Sequence, residues 1–130
     1  MVLRVMCTYN GRLIVKLEGG IAMANYIKVS AAGTDAELST CGFRQRLLKR
    51  DDGAPASITV LTTDNARPHY HKVTHEYYYI MEGTGVLHID GEVVPVEAGD
   101  CVWIKPPAMH HAEGELKSII VGVPPFSEED

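Results

Sequence analysis

His69-Tyr70-His71-Lys72-Val73-Thr74-His75-Glu76-Tyr77-Tyr78-Tyr79-Ile80-Met81-Glu82-Gly83 is the stretch that decides the fold. Its second half, Tyr77–Met81, is strongly β-prone, and the glycine that closes it marks a turn. On an extended backbone, residues i and i+2 point to the same side, about 7 Å apart along the strand. His69 and His71 therefore present two imidazoles to one face, with Tyr70 on the other. Glu76 opens the following strand after a four-residue interval in which the chain can turn. A lone His-x-His is commonly a surface or packing feature. Joined to a carboxylate at the start of a strand, it becomes three donors able to meet at one ion.

Around that stretch the punctuation is all-β. Short runs rich in Val, Ile, Tyr and Thr alternate with Gly, Pro, Asn and Asp. Candidate strands are Ala24–Ser30, Phe43–Lys49, Ser57–Thr62, His75–Met81, Val86–Ile89, Glu92–Val96, Cys101–Ile104 and Leu116–Val123. Turns are expected at Asp51-Asp52-Gly53, Glu82-Gly83, Asp90-Gly91, Ala98-Gly99-Asp100 and Pro106-Pro107. A turn of helix is expected in Thr34–Ser39, where Thr34 can cap and Glu37 sits three residues on. Many short strands without a long helix point to a sandwich, jelly roll or small barrel.

Residues 1–22 form a separate case. Val2–Tyr9 and Arg12–Glu18 flank Asn10-Gly11, a strong hairpin signal because Asn-Gly accepts a type I′ turn. Met23-Ala24 could serve as a start, which would make residues 1–22 an extension to a barrel domain at 23–130. The alternative is a native hairpin that adds to a sheet edge or to a partner subunit. At the other end, the acidic Ser127–Asp130 is expected to fray.

Bulk properties narrow the function. The 130 residues, 45% apolar and 22% charged, suit one globular domain that needs no staples. Net charge is −5 and no Lys/Arg stripe occurs, which argues against nucleic acid or an anionic membrane as partner. No stretch approaches the roughly 20 apolar residues of a membrane span or the pattern of a signal peptide. The three cysteines, Cys7, Cys41 and Cys101, are odd in number, far apart and without a CxxC pair. They read as free thiols in a cytoplasmic protein.

A fourth donor comes from farther along. Gly99-Asp100 leads into Cys101–Ile104, Pro106-Pro107 turns the chain, and His110-His111 begins the return. Together these residues resemble the cupin superfamily. Its first motif runs glycine, five residues, His-x-His, three or four residues, Glu, six residues, glycine. His69, His71, Glu76 and Gly83 fit it, with Thr63 at the position of the first glycine. Its second motif runs glycine, five residues, Pro-x-Gly, two residues, His. From Gly99 without a gap, Lys105 and Pro107 replace the proline and glycine, and His110 is the ligand. A one-residue shift through Pro106-x-Ala108 makes it His111.

The resemblance implies a double-stranded β-helix (jelly-roll) barrel, usually dimeric, with one divalent metal held by His69, His71, Glu76 and His110. Three imidazoles and a carboxylate suit Mn, Fe, Ni, Cu or Zn better than Mg or Ca. The expected function is a small metalloenzyme (oxygenase, isomerase or lyase) acting on a small polar metabolite. The alternative is a non-catalytic small-molecule-binding or sensory cupin. Parity adds Tyr78 and Arg67 as pocket candidates if their strands run straight. Arg44 and Arg46 share one strand face and read as a solvated or partner-facing pair. His75 and His88 read as outward-facing, and Cys101 and Trp103 as core.

Overall fold

The computed structural model describes residues 3–9, 12–17 and 25–130. The chain forms two compact units, Met1–Asp35 and Ala36–Asp130. In the first, β1 (Leu3–Tyr9) pairs antiparallel with β2 (Arg12–Leu17). The Asn10-Gly11 turn and Met23 lie outside the described residues. Residues 25–30 form no extended strand, and a single 3-10 turn follows at Ala31–Gly33. The turn of helix expected at Thr34–Ser39 is absent. Glu37–Ser39 is instead a strand that pairs with Gly42–Arg44 across a tight turn at Thr40-Cys41.

The second unit is a seven-stranded antiparallel sheet. Its strands are β3 (Glu37–Ser39), β4 (Gly42–Leu48), β5 (Ser57–Thr63), β6 (His75–Ile89), β7 (Glu92–Glu97), β8 (Cys101–Ile104) and β9 (His110–Val123). The order is β3-β4-β5-β9-β6-β7, with β8 also paired to β6. β6 is the spine: its first half pairs with β8, its second half with β7, and its whole length with β9. The expected break at Glu82-Gly83 is only a bulge in the β6–β9 register.

Register sorts the side chains between two faces, because directly opposed residues of paired strands point the same way. Leu61, Ser118 and Ile80 form one row across β5, β9 and β6, and Thr59, Ile120 and Tyr78 form the next. All six are buried, and with Leu87, Ile104 and Leu116 they make the core. The intervening residues face outward. Trp103 opposes Tyr77, and Cys101 opposes Tyr79. Trp103 is accordingly 49% exposed and Cys101 is exposed, so neither is a core residue. The parity that sends Glu76 and Tyr78 inward forces their neighbours out.

Candidate metal centre

Two segments meet to build the site. Residues 64–74 link β5 to β6, and an isolated antiparallel bridge ties His69 to His110 at the start of β9. The two backbones exchange N–H···O bonds of 3.0 and 2.8 Å. Glu76 arrives from the neighbouring β6. Donor atoms of His69, His71, Glu76 and His110 lie within 4.8 Å of one another. His111 points away and stacks on His88 at 4.4 Å, with Glu113 Oε2 2.8 Å from His88 Nε2. His75 is also remote, its Nδ1 accepting from Trp103 Nε1 at 3.1 Å.

The imidazoles are aimed by what lies behind them. His69 Nδ1 is 2.9 Å from the Arg67 carbonyl, and His110 Nδ1 is 2.9 Å from the Ala108 carbonyl. A carbonyl can only accept, so each Nδ1 carries the proton and each Nε2 turns a lone pair into the cluster. His71 Nδ1 instead faces Asp130 Oδ2 at 3.4 Å, and its Nε2 lies 3.5 Å from Glu76 Oε2. Phe126 packs on the His71 ring at 4.8 Å. Asp130 is fixed in turn by the Val73 and Thr74 amides at 2.7 and 3.3 Å. The acidic tail is therefore docked, not frayed, because these amides need an acceptor and Asp130 supplies it.

Electrostatics favour a cation at the centre. Glu76 Oε2 and His110 Nε2 are 2.6 Å apart, yet neither makes a directed hydrogen bond, and both are buried. Brought this close, the carboxylate oxygen and the imidazole nitrogen need a cation between them, a proton or a metal ion. A buried carboxylate left in that condition is costly, and a metal ion removes the cost. Burial holds the His69 pKa down, so that ring is neutral and free to ligate. At His110 burial also acts to lower the pKa, but the adjacent Glu76 carboxylate outweighs it and raises the value.

A cavity of about 340 Å³ opens onto the cluster. Its walls include Cys41, Arg44, Arg46, Leu61, Tyr78 and Phe126. Tyr78 stays a neutral phenol, its pKa raised well above the usual tyrosine value by burial, Glu76 and Cys41. Cys41 Sγ lies 3.6 Å from His69 Nε2, and burial together with Glu76 pushes its pKa up to about 11, against Arg44. Arg67 is a correction to the pocket set: its side chain is exposed and only its carbonyl serves the site. The chain is not a strand before Pro68, and Asn65 takes a φ of 47°, so strand parity does not carry back to Arg67. Arg44 and Arg46 remain partly solvated, as expected, but they also border the cavity, since the register of β4 on β5 turns them to the inner face. Alternation along Phe43–Lys49 carried that signal, but it could not say which face was inner.

The fold and its donor set define a small antiparallel barrel around a four-residue His/Glu cluster able to hold a metal ion. Residues 58–119 match the family model described as Cupin domain. An uncharacterized protein of Methanocaldococcus jannaschii is 38% identical over 66 residues, which are 48% of this chain and 53% of that protein. The chain thus spans about half the length of this curated relative. A structure from Planctomyces limnophilus shares 28% identity at a TM-score of 0.75, covering 84% of this chain and 96% of that one. The Streptomyces nucleoside dehydratase Pac13 is 19% identical at a TM-score of 0.73, covering 82% and 88%, a likeness of fold alone. The barrel is of the jelly-roll type, and the match over residues 58–119 places that part of the chain in the cupin superfamily. No helix among the described residues is long and apolar enough to cross a membrane.

Proposed function

We propose that this protein is a metal-dependent enzyme acting on a small polar metabolite, with one divalent Mn, Fe, Ni, Cu or Zn ion held by His69, His71, Glu76 and His110. The observation that carries the reading is the convergence of four donor groups within 4.8 Å, two of them buried atoms without a directed partner, beneath a cavity. A bound ion would supply Lewis-acid polarisation of a substrate oxygen or, if iron, access to oxygen chemistry. The chain's own groups do the rest. The Arg67 and Ala108 carbonyls orient two rings, Asp130 faces the third, and the Tyr78 hydroxyl is a hydrogen-bond donor on the cavity wall. Leu61, Ile120 and Phe126 give that wall an apolar side that excludes water.

Oxygenase, isomerase and lyase activities all fit this arrangement, and metal identity sorts them. Elemental analysis of protein purified without a polyhistidine tag is the test. Close to one transition-metal ion per chain is expected, with its loss in a His69→Ala/His71→Ala variant. Protein that carries no metal, takes up none, and melts at the same temperature with and without chelator would overturn the reading. We also propose a homodimer, supported by the exposed aromatic surface of β6 and β8.

A further inference from the structure

We propose that the cavity takes a small anionic metabolite whose carboxylate or phosphate group is held by Arg44 and Arg46 while its other end reaches the four-residue cluster. Only the second of those contacts rests on the metal reading.

Register assigns the two arginines to the cavity. Arg44 opposes Leu61 and Arg46 opposes Thr59 across β4 and β5. Those rows continue through Ser118 to Ile80 and through Ile120 to Tyr78, all buried. Side chains in one row share a face, so both guanidiniums lie on the face that makes the core. Phe43, of the opposite parity, is on the opposite face and 47% exposed.

Among the described residues, one carboxylate meets both side chains. Both Nε atoms share one oxygen, Glu37 Oε1, at 3.0 and 2.6 Å. One carboxylate cannot neutralise two guanidiniums, and each guanidinium has five N–H donors. The side chains are 37% and 41% exposed, so a ligand can reach the unused donors. The planar fork suits carboxylate and phosphate oxygens. Among the described residues, Glu76 and Glu128 are the acids on the cavity wall, and Glu76 belongs to the cluster.

The arginines and the cluster border one space. Arg44, Arg46, Cys41, His69 and His71 line the same cavity, and Cys41 Sγ is 3.6 Å from His69 Nε2. A volume near 340 Å³ limits the guest to a metabolite-sized molecule. Leu61, Ile120 and Phe126 offer its carbon skeleton an apolar wall.

Calorimetric titration of the full chain, metal-loaded and chelator-treated, with malonate, inorganic phosphate and uncharged malonamide tests the proposal. Metal-loaded protein should bind malonate or phosphate and leave malonamide unbound, the tighter of the two identifying the anionic group. Arg44→Gln/Arg46→Gln should weaken anion binding at least about tenfold with unchanged metal content. Glu37→Gln removes the competing carboxylate and should tighten it several-fold, a gain that a merely structural role for the arginines would not give. Equal anion affinity in the double variant, malonamide binding as tight as malonate, or no binding of either anion overturns the proposal. Arginine-dependent anion binding in a chain that takes up no metal would leave this proposal standing and sink the metal reading. Metal uptake without arginine dependence would do the reverse.

Discussion

Three histidines of one cluster are held in two different ways. His69 and His110 each lean on a carbonyl two residues back, a local device set by the bend of the chain before each ligand. His71 has no such support, and its outer nitrogen faces Asp130. Asp130→Ala should therefore lower the melting temperature and weaken metal binding by roughly tenfold or more, the usual effect of losing a group behind a ligand. Burial acts to raise the Asp130 pKa, but hydrogen bonds from Thr74 and Val73 and the nearby His71 lower it overall. Its folded pKa is thus depressed. The stability it adds is present above the unfolded carboxylate value near 3.9 and is lost as pH falls through the folded value. Urea melts of wild type and Asp130→Asn should differ at pH 7, and the gap should narrow as pH falls below the unfolded carboxylate value near 3.9; a gap that does not narrow in acid would refute the assignment. The His-x-His spacing and Glu76 were legible from strand geometry, and His110 from family spacing with His111 as its rival. Asp130 was not, because it meets Val73 only across 57 positions of sequence, a closure that no local pattern encodes.

At the scale of elements, the clearest departure from the sequence reading is β6. Glu82-Gly83 has turn chemistry, yet the strand continues from His75 to Ile89. Gly83 sits at φ +92° against the Glu115 carbonyl on β9, where an added Cβ would fall onto that oxygen. The glycine is there for close approach of two backbones, and a turn and a tight crossing look the same in one-dimensional sequence. Gly83→Ala should cost about 2–5 kcal/mol, combining left-handed strain with overlap. Gly91, at φ +83° in the Asp90-Gly91 turn, has open space around its Cβ position. Gly91→Ala should cost only the backbone strain of about 1–2 kcal/mol. Denaturant titration of both variants separates the two roles, and equal losses would show that the crossing at Gly83 is not tight.

At the scale of the whole barrel, the same alternation that builds the site leaves an apolar outer surface on β6, β8 and β9. Tyr77 stacks on Trp103 at 5.9 Å, and Lys105 lies over the Trp103 ring at 4.7 Å. Tyr79 and Trp103 remain 46% and 49% exposed, and Val123 40%. Large apolar side chains grouped on one sheet face mark a contact surface more often than bare solvent exposure. Composition could count these aromatics but not sort them, which is why Trp103 reads as core until register is known. A stable dimer buries roughly 1,200–2,000 Å² in total, with aromatic anchors near its centre. Trp103→Glu at that position should raise the dimer dissociation constant by at least about tenfold, since a charge would have to be buried there unpaired. Sedimentation velocity at several protein concentrations reads this directly. Because Trp103 and the His/Glu cluster lie on opposite faces of the sheet, the variant should take up as much metal as the wild type. A wild type that sediments as a monomer at every concentration would remove the dimer, and loss of metal in Trp103→Glu would show that the two faces are not independent.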